Sequence, residues 1–113
     1  MNKARELIDL LIKKGLTIGA VESFTGGLFA KTLTDIAGAS KAFKGGIVAY
    51  SKEAKIDVVG VPEAYVNEHG MVSAEVCSQL AIKGQKLLNV DDCVAFTGNA
   101  GPSTCESNTN INV

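Results

Sequence analysis

The side chains best suited to chemistry stand where apolar runs give way to hydroxyls and glycines. Val21-Glu22-Ser23-Phe24-Thr25-Gly26-Gly27 follows the apolar run that begins at Leu16 and precedes a helix-patterned segment. A helix start of this kind leaves backbone N–H groups without helical partners, which suits a phosphate or the oxyanion of a tetrahedral intermediate. Ser23 stands where its hydroxyl could be presented beside those donors. The plainer reading is that Ser23 and Thr25 only cap the helix, and both readings stand at this level. Glu22 has two readings as well: a solvated residue at a sheet rim, or a carboxylate that orients a lysine or a substrate amide.

Two further junctions have the same character. Tyr50-Ser51-Lys52-Glu53-Ala54-Lys55 places a tyrosine, a capping serine and two lysines at the end of a second apolar run. A lysine in the first turn of the short helix that Ser51 caps could reach across the strand ends toward Ser23. The helix dipole disfavours a cation there, and a desolvated lysine loses basicity and can act as a general base. The plain alternative for Lys55 is a solvated surface residue. The third junction is Thr97-Gly98-Asn99-Ala100-Gly101-Pro102, after the run Cys93 to Phe96. Strands that end in hydroxyls and glycines are the informative coincidence, because ligands of open α/β sheets collect beyond the carboxyl ends of the strands.

These junctions need a frame. Residues 3 to 14 read as an amphipathic helix, with Ala4, Leu7, Ile8 and Leu11 on one side and Gly15 as the stop. Residues 16 to 22 read as a strand covered on both faces. A helix is expected from Thr25 to Ile36, closed by Gly38. A strand is expected over 43 to 50, where Gly45-Gly46 marks a bulge or a close backbone approach. A short helix over Pro62 to Glu68 comes next. Ser73 then caps the clearest helix, in which Val76, Cys77, Leu80, Ala81, Gly84, Leu87 and Leu88 share a face and Gly84 permits close packing. Residues 103 to 113 are polar and aperiodic, and are expected to be irregular.

Composition narrows the function classes. The chain has 113 residues, 46% of them apolar, and a net charge of −1, the profile of a globular domain without a basic field for nucleic acid. No stretch approaches the roughly 20 apolar residues of a membrane span. Glu6 and Asp9 interrupt any signal-peptide pattern at the N-terminus, so the cytoplasm is the expected location. Cys77, Cys93 and Cys105 are odd in number and widely spaced, which argues against a disulfide framework, and with one histidine, His69, against a zinc site. Cys77 and Cys93 are expected to pack as small hydrophobes.

Taken together, Val21–Gly27, Phe43–Ser51, Glu53-Ala54-Lys55, Gly60-Val61-Pro62, His69–Ser73 and Phe96–Pro102 closely resemble the CinA C-terminal domain family, the competence/damage-inducible protein group. That family includes bacterial nicotinamide-nucleotide amidohydrolases. The resemblance runs from the N-terminal helix to Pro102. It implies an α/β fold, a layered α/β/α domain with a mixed, largely buried central sheet. It also implies a homodimer and deamidation of nicotinamide mononucleotide to nicotinic acid mononucleotide and ammonia, without metal or cofactor. The family's nucleophile carries over to Ser23, its tyrosine and lysine to Tyr50 and Lys55, and its threonine to Thr97. Glu22, Thr25, Gly26, Gly27, Gly46, Gly98, Asn99 and Gly101 are the expected substrate-binding positions, with no assignment of which loop serves the phosphate and which the oxyanion. A Ser–Lys pairing with Tyr50 as proton relay suits a chain with one histidine better than a Ser–His–Asp triad.

The chain departs from the family in two places. Phe24 stands where cysteine is common, which reads as a packing change. After Pro102 the family continues through a glycine-rich turn, a strand and a helix that bring an arginine to the site. Residues 1–102 are therefore expected to form a domain lacking that last strand and helix. The alternative function is a non-catalytic nucleotide-binding or protein-interaction module.

Overall fold

The computed structural model describes residues 2–97 and 103–108. Its centre is β1 (Ile18–Glu22), buried along its whole length, as a run apolar on both faces requires. The sheet order is β2-β1-β3-β4, with β2 (Phe43–Val48) and β3 (Asp92–Thr97) both parallel to β1. The carboxyl ends of these parallel strands consequently share one rim.

Helices cover both faces. On one, α1 (Lys3–Lys14) and α2 (Leu28–Thr34) bring Ile8, Leu11 and Leu33 against Ile18, Ala20 and Phe43. Asn2 caps α1, its Oδ1 accepting from the Ala4 and Arg5 amides at 2.9 and 3.2 Å, and Gly15 closes it at φ 69°. On the other face, α4 (Ala74–Leu88) packs Val76, Cys77, Leu80 and Ala81 against Val21, Cys93 and Ala95. Both cysteines are fully buried in that core, as small hydrophobes. A Cβ at Gly84 would meet Val21 Cγ2 at 2.5 Å and Cys93 Sγ at 3.0 Å, so α4 approaches the sheet where it carries glycine. A short π-helix (Ala54–Val59) and α3 (Glu63–His69) complete this layer.

The structure corrects or settles the sequence expectations at three places. First, α2 begins at Leu28 rather than Thr25, because Gly26 and Gly27 take φ of +65° and +106°, which no α-helix includes. Second, both readings of Gly45-Gly46 hold. Ile18 pairs with Phe43 but Gly19 pairs with Gly45, so Lys44 is the extra residue of a bulge. A Cβ at Gly46 would stand 3.4 Å from the Ala20 carbonyl oxygen and 3.6 Å from the Ala30 Cβ.

Third, the segment expected to be irregular after Pro102 contains β4 (Ser103–Asn108), antiparallel to β3 from Thr97↔Ser103 to Asp92↔Asn108. Its alternation is carried by small groups rather than large apolar ones, which is why periodicity alone did not reveal it. Cys105 packs against the α4 core, and the Ser107 hydroxyl lies 2.5 Å from Gln85 Oε1 on α4. The open edge of β3 supplies the remaining stabilisation through its backbone.

Candidate active site

The rim formed by the parallel strands gathers the residues that chemistry singled out. Ser23 follows β1, Ala49 and Tyr50 follow β2, and Thr97 ends β3. Lys55 comes from the π-helix, whose entry Ser51 caps by accepting from the Ala54 amide at 3.0 Å. Its side chain turns inward and is 1% exposed. Lys55 Nζ lies 3.0 Å from Ser23 Oγ and donates to the Ala49 carbonyl oxygen at 2.7 Å.

Burial pushes the Lys55 pKa below the ordinary lysine value, since an ammonium loses its hydration there. The solvated-surface reading of Lys55 is therefore set aside. What remains is an amine with reduced proton affinity in hydrogen-bond contact with a hydroxyl, the arrangement needed to strip that hydroxyl of its proton.

Ser23 and Lys55 face a cleft of about 340 Å³, which Tyr50 and Thr97 also line. Thr97 is fully buried and its Oγ1 donates to the Met71 carbonyl at 3.3 Å, tying the turn before α4 to the end of β3. Tyr50 is 74% exposed and stands at the cleft as a solvent-facing residue rather than a packed one. The cleft also takes in Phe24, Met71 and Val72, which the sequence reading did not place in the site. Met71 and Val72 lie within the His69–Ser73 block and Phe24 is Ser23's neighbour, so adjacency to the motifs was the available signal.

Several expected substrate contacts have other occupations. Glu22 is neither solvated nor paired with a lysine, and its oxygens are taken up within the chain: it is 1% exposed, and they accept from Thr25 Oγ1 at 2.7 Å and from the Phe29 and Ala30 backbone amides at 2.9 and 2.8 Å. The carboxyl group at the end of β1 thus caps α2 itself. The expectation that this helix start offers its amides to an anion is corrected for Phe29 and Ala30, whose amides Glu22 takes, and for Leu28, whose amide donates to the Thr25 carbonyl. Thr25 is held by the same group. The Gly26 amide donates to the Ser23 carbonyl at 3.1 Å, closing the turn that presents the serine. Gly27 is the α2 N-cap, and Gly46 lies within β2 beneath Ala30, away from the cleft lining. Gly98, Asn99 and Gly101 fall outside the described residues.

His69 packs against Tyr65 with ring centroids 4.4 Å apart and the rings tilted by 45°, and it does not line the cleft. Among the described residues, no group of His, Cys, Asp and Glu side chains could hold a metal ion, and no helix is long and apolar enough to cross a membrane.

Comparison with known proteins gives a consistent picture. Residues 1–111 match the family described as the CinA C-terminal domain. A competence-damage inducible protein of Bacillus subtilis (strain 168) is 48% identical over 102 residues, which is 90% of this chain and 24% of that protein. A CinA-like protein of Flavobacterium psychrophilum is 41% identical over 102 residues, with the same coverage. The chain therefore spans about a quarter of the length of these relatives. Among solved structures, the competence/damage inducible protein CihA of Agrobacterium tumefaciens superposes with a TM-score of 0.89 at 33% identity, covering 96% of this chain and 73% of that one.

Proposed function

We propose that this chain, which belongs to the CinA C-terminal domain family, is a serine amidohydrolase that deamidates nicotinamide mononucleotide to nicotinic acid mononucleotide and ammonia. The observation that carries the reading is the 3.0 Å contact between Ser23 Oγ and the amine of a lysine that is 1% exposed.

Each step rests on that pair. Unprotonated Lys55 Nζ takes the proton of Ser23 as Oγ attacks the carboxamide carbon, forming a C–O bond and an oxyanion. The oxyanion collapses and breaks the C–N bond, while the nitrogen takes a proton from the Lys55 ammonium through the Tyr50 hydroxyl and leaves as ammonia. Water, deprotonated by Lys55, then attacks the Ser23 ester, releases the pyridine carboxylate and restores the serine. The Ala49 carbonyl holds Nζ on the side from which it reaches Oγ. That acceptor favours the ammonium, opposite to burial, but burial dominates the lowered pKa. Thr97 fixes the cleft wall through Met71. A homodimer in the cytoplasm belongs to the same reading.

The test is ammonia release from nicotinamide mononucleotide. Ser23→Ala and Lys55→Ala are each expected to lower turnover by about a thousandfold or more with thermal unfolding still cooperative. Full turnover in both variants would overturn the assignment. Nucleotide binding by calorimetry, without turnover in the unaltered chain, would favour the non-catalytic module.

A further inference from the structure

We propose that Phe24 is the specificity-determining wall of the cleft: its ring receives the flat face of the substrate's heteroaromatic ring and selects aromatic carboxamides over aliphatic ones. The inference rests on the deamidase reading for its substrate and goes beyond it in assigning the residue that recognises the ring.

Phe24 is a large apolar side chain left 47% exposed beside the nucleophile, and it lines the same cleft. Its position is built rather than incidental. The turn from Ser23 to Gly26 is closed by the Gly26 amide on the Ser23 carbonyl at 3.1 Å, and Thr25 is anchored to Glu22 at 2.7 Å. With both neighbours held, the Phe24 backbone has one place to be, and the buried serine and the exposed phenyl leave that turn together.

The rest of the lining divides by chemistry. Ser23, Lys55 and Thr97 supply polar groups, whereas Met71 and Val72, the latter 49% exposed, continue the apolar surface. Lys55 is the one cationic side chain among the described lining residues, and it is occupied by Ser23 and the Ala49 carbonyl. Among the described residues, the lining thus offers a flat ring an apolar face rather than a free cation for a phosphate. Its volume of about 340 Å³ has ample room for a pyridine carboxamide with its carbonyl at Ser23. An aliphatic amide placed with its carbonyl at Ser23 would leave Phe24 and Val72 wet. A ring in the same place removes both apolar surfaces from water and adds a stacking contact.

The measurement separates binding from turnover. In the Ser23→Ala background, Phe24→Ala is expected to raise the Kd for nicotinamide mononucleotide about tenfold, and Phe24→Tyr to restore most of the affinity. In the chain retaining Ser23, the same loss should fall on KM. An unchanged Kd in the Phe24→Ala double variant, or no nucleotide binding by Ser23→Ala, overturns the ring-binding role. If binding depends on Phe24 but the unaltered chain releases no ammonia, the deamidase reading fails while the ring site stands.

Discussion

Lys55 Nζ and Ser23 Oγ meet at 3.0 Å although 32 positions separate them in the chain. The contact exists because β1 and β2 run parallel, so that the segments leaving their carboxyl ends emerge at the same rim. The π-helix then turns the lysine back over the end of β1. Burial of Lys55 costs free energy, and the same burial makes its amine available as a base.

This relationship fixes a pH dependence. The proposed reaction requires the unprotonated amine, whose pKa lies below the ordinary 10.5. A plot of kcat/KM against pH should therefore rise and level off below that value. Stability depends on the same group: between the lowered native pKa and 10.5 the unfolded chain binds the proton more tightly, so stability rises with pH through that window. Lys55→Met should flatten that rise, which for one proton is at most about 1.4 kcal/mol per pH unit. Denaturant melts across the alkaline range would show an unaltered slope if Lys55 were an ordinary surface lysine.

Glu22 should matter for stability as much as for activity. Replacing it with alanine leaves the Phe29 and Ala30 amides and the Thr25 hydroxyl without their acceptor in a site that is 1% exposed. The expected loss is about 2 kcal/mol in urea unfolding. Turnover should fall as well, because the turn that presents Ser23 loosens. A melting temperature equal to that of the unaltered chain would contradict the capping role.

Gly84→Ala tests the helix–sheet contact. Helix propensity favours alanine by about 1 kcal/mol. The new Cβ would nevertheless press on Val21 Cγ2 at 2.5 Å and Cys93 Sγ at 3.0 Å. Overpacking of this kind costs about 1–3 kcal/mol, so net destabilisation is expected in a denaturant titration. A stabilised variant would mean that α4 stands farther from the sheet.

Asp92 provides a second pH-dependent term, at the start of β3. It is 6% exposed, its Oδ1 has no partner among the described residues, and burial together with Glu106 on β4 pushes its pKa up from 3.8 to about 7. Between those values the native chain keeps a proton that the unfolded chain has released. Stability therefore falls as pH rises through the window, and the loss is complete above about 7. Asp92→Asn should be the more stable form at pH 8, by on the order of a few kcal/mol, with little difference at pH 4. Equal pH dependence in the two proteins would remove Asp92 from the account.

The local elements were readable in the residues because their causes are local. Gly15 ends α1, Ser73 caps α4, and the apolar run before Glu22 is a buried strand, each from side-chain pattern and backbone preference alone. The hydroxyl-and-glycine junctions marked Ser23, Tyr50, Lys55 and Thr97 as neighbours of strand ends, and their order in the chain pointed to the family. What pattern could not show was where each polar group would find its partner. Glu22 was open between solvent and substrate until α2 came to rest over it and drew its oxygens to the Phe29 and Ala30 amides. Residues 103–108 lacked large apolar periodicity, and pairing with β3 made them a strand. Sequence determines which groups are present and which backbone shapes they favour. The distance from an amine to a hydroxyl, the burial that lowers its pKa and the exposure of Phe24 beside them arise only when distant segments pack, because each depends on how much water the assembled fold excludes.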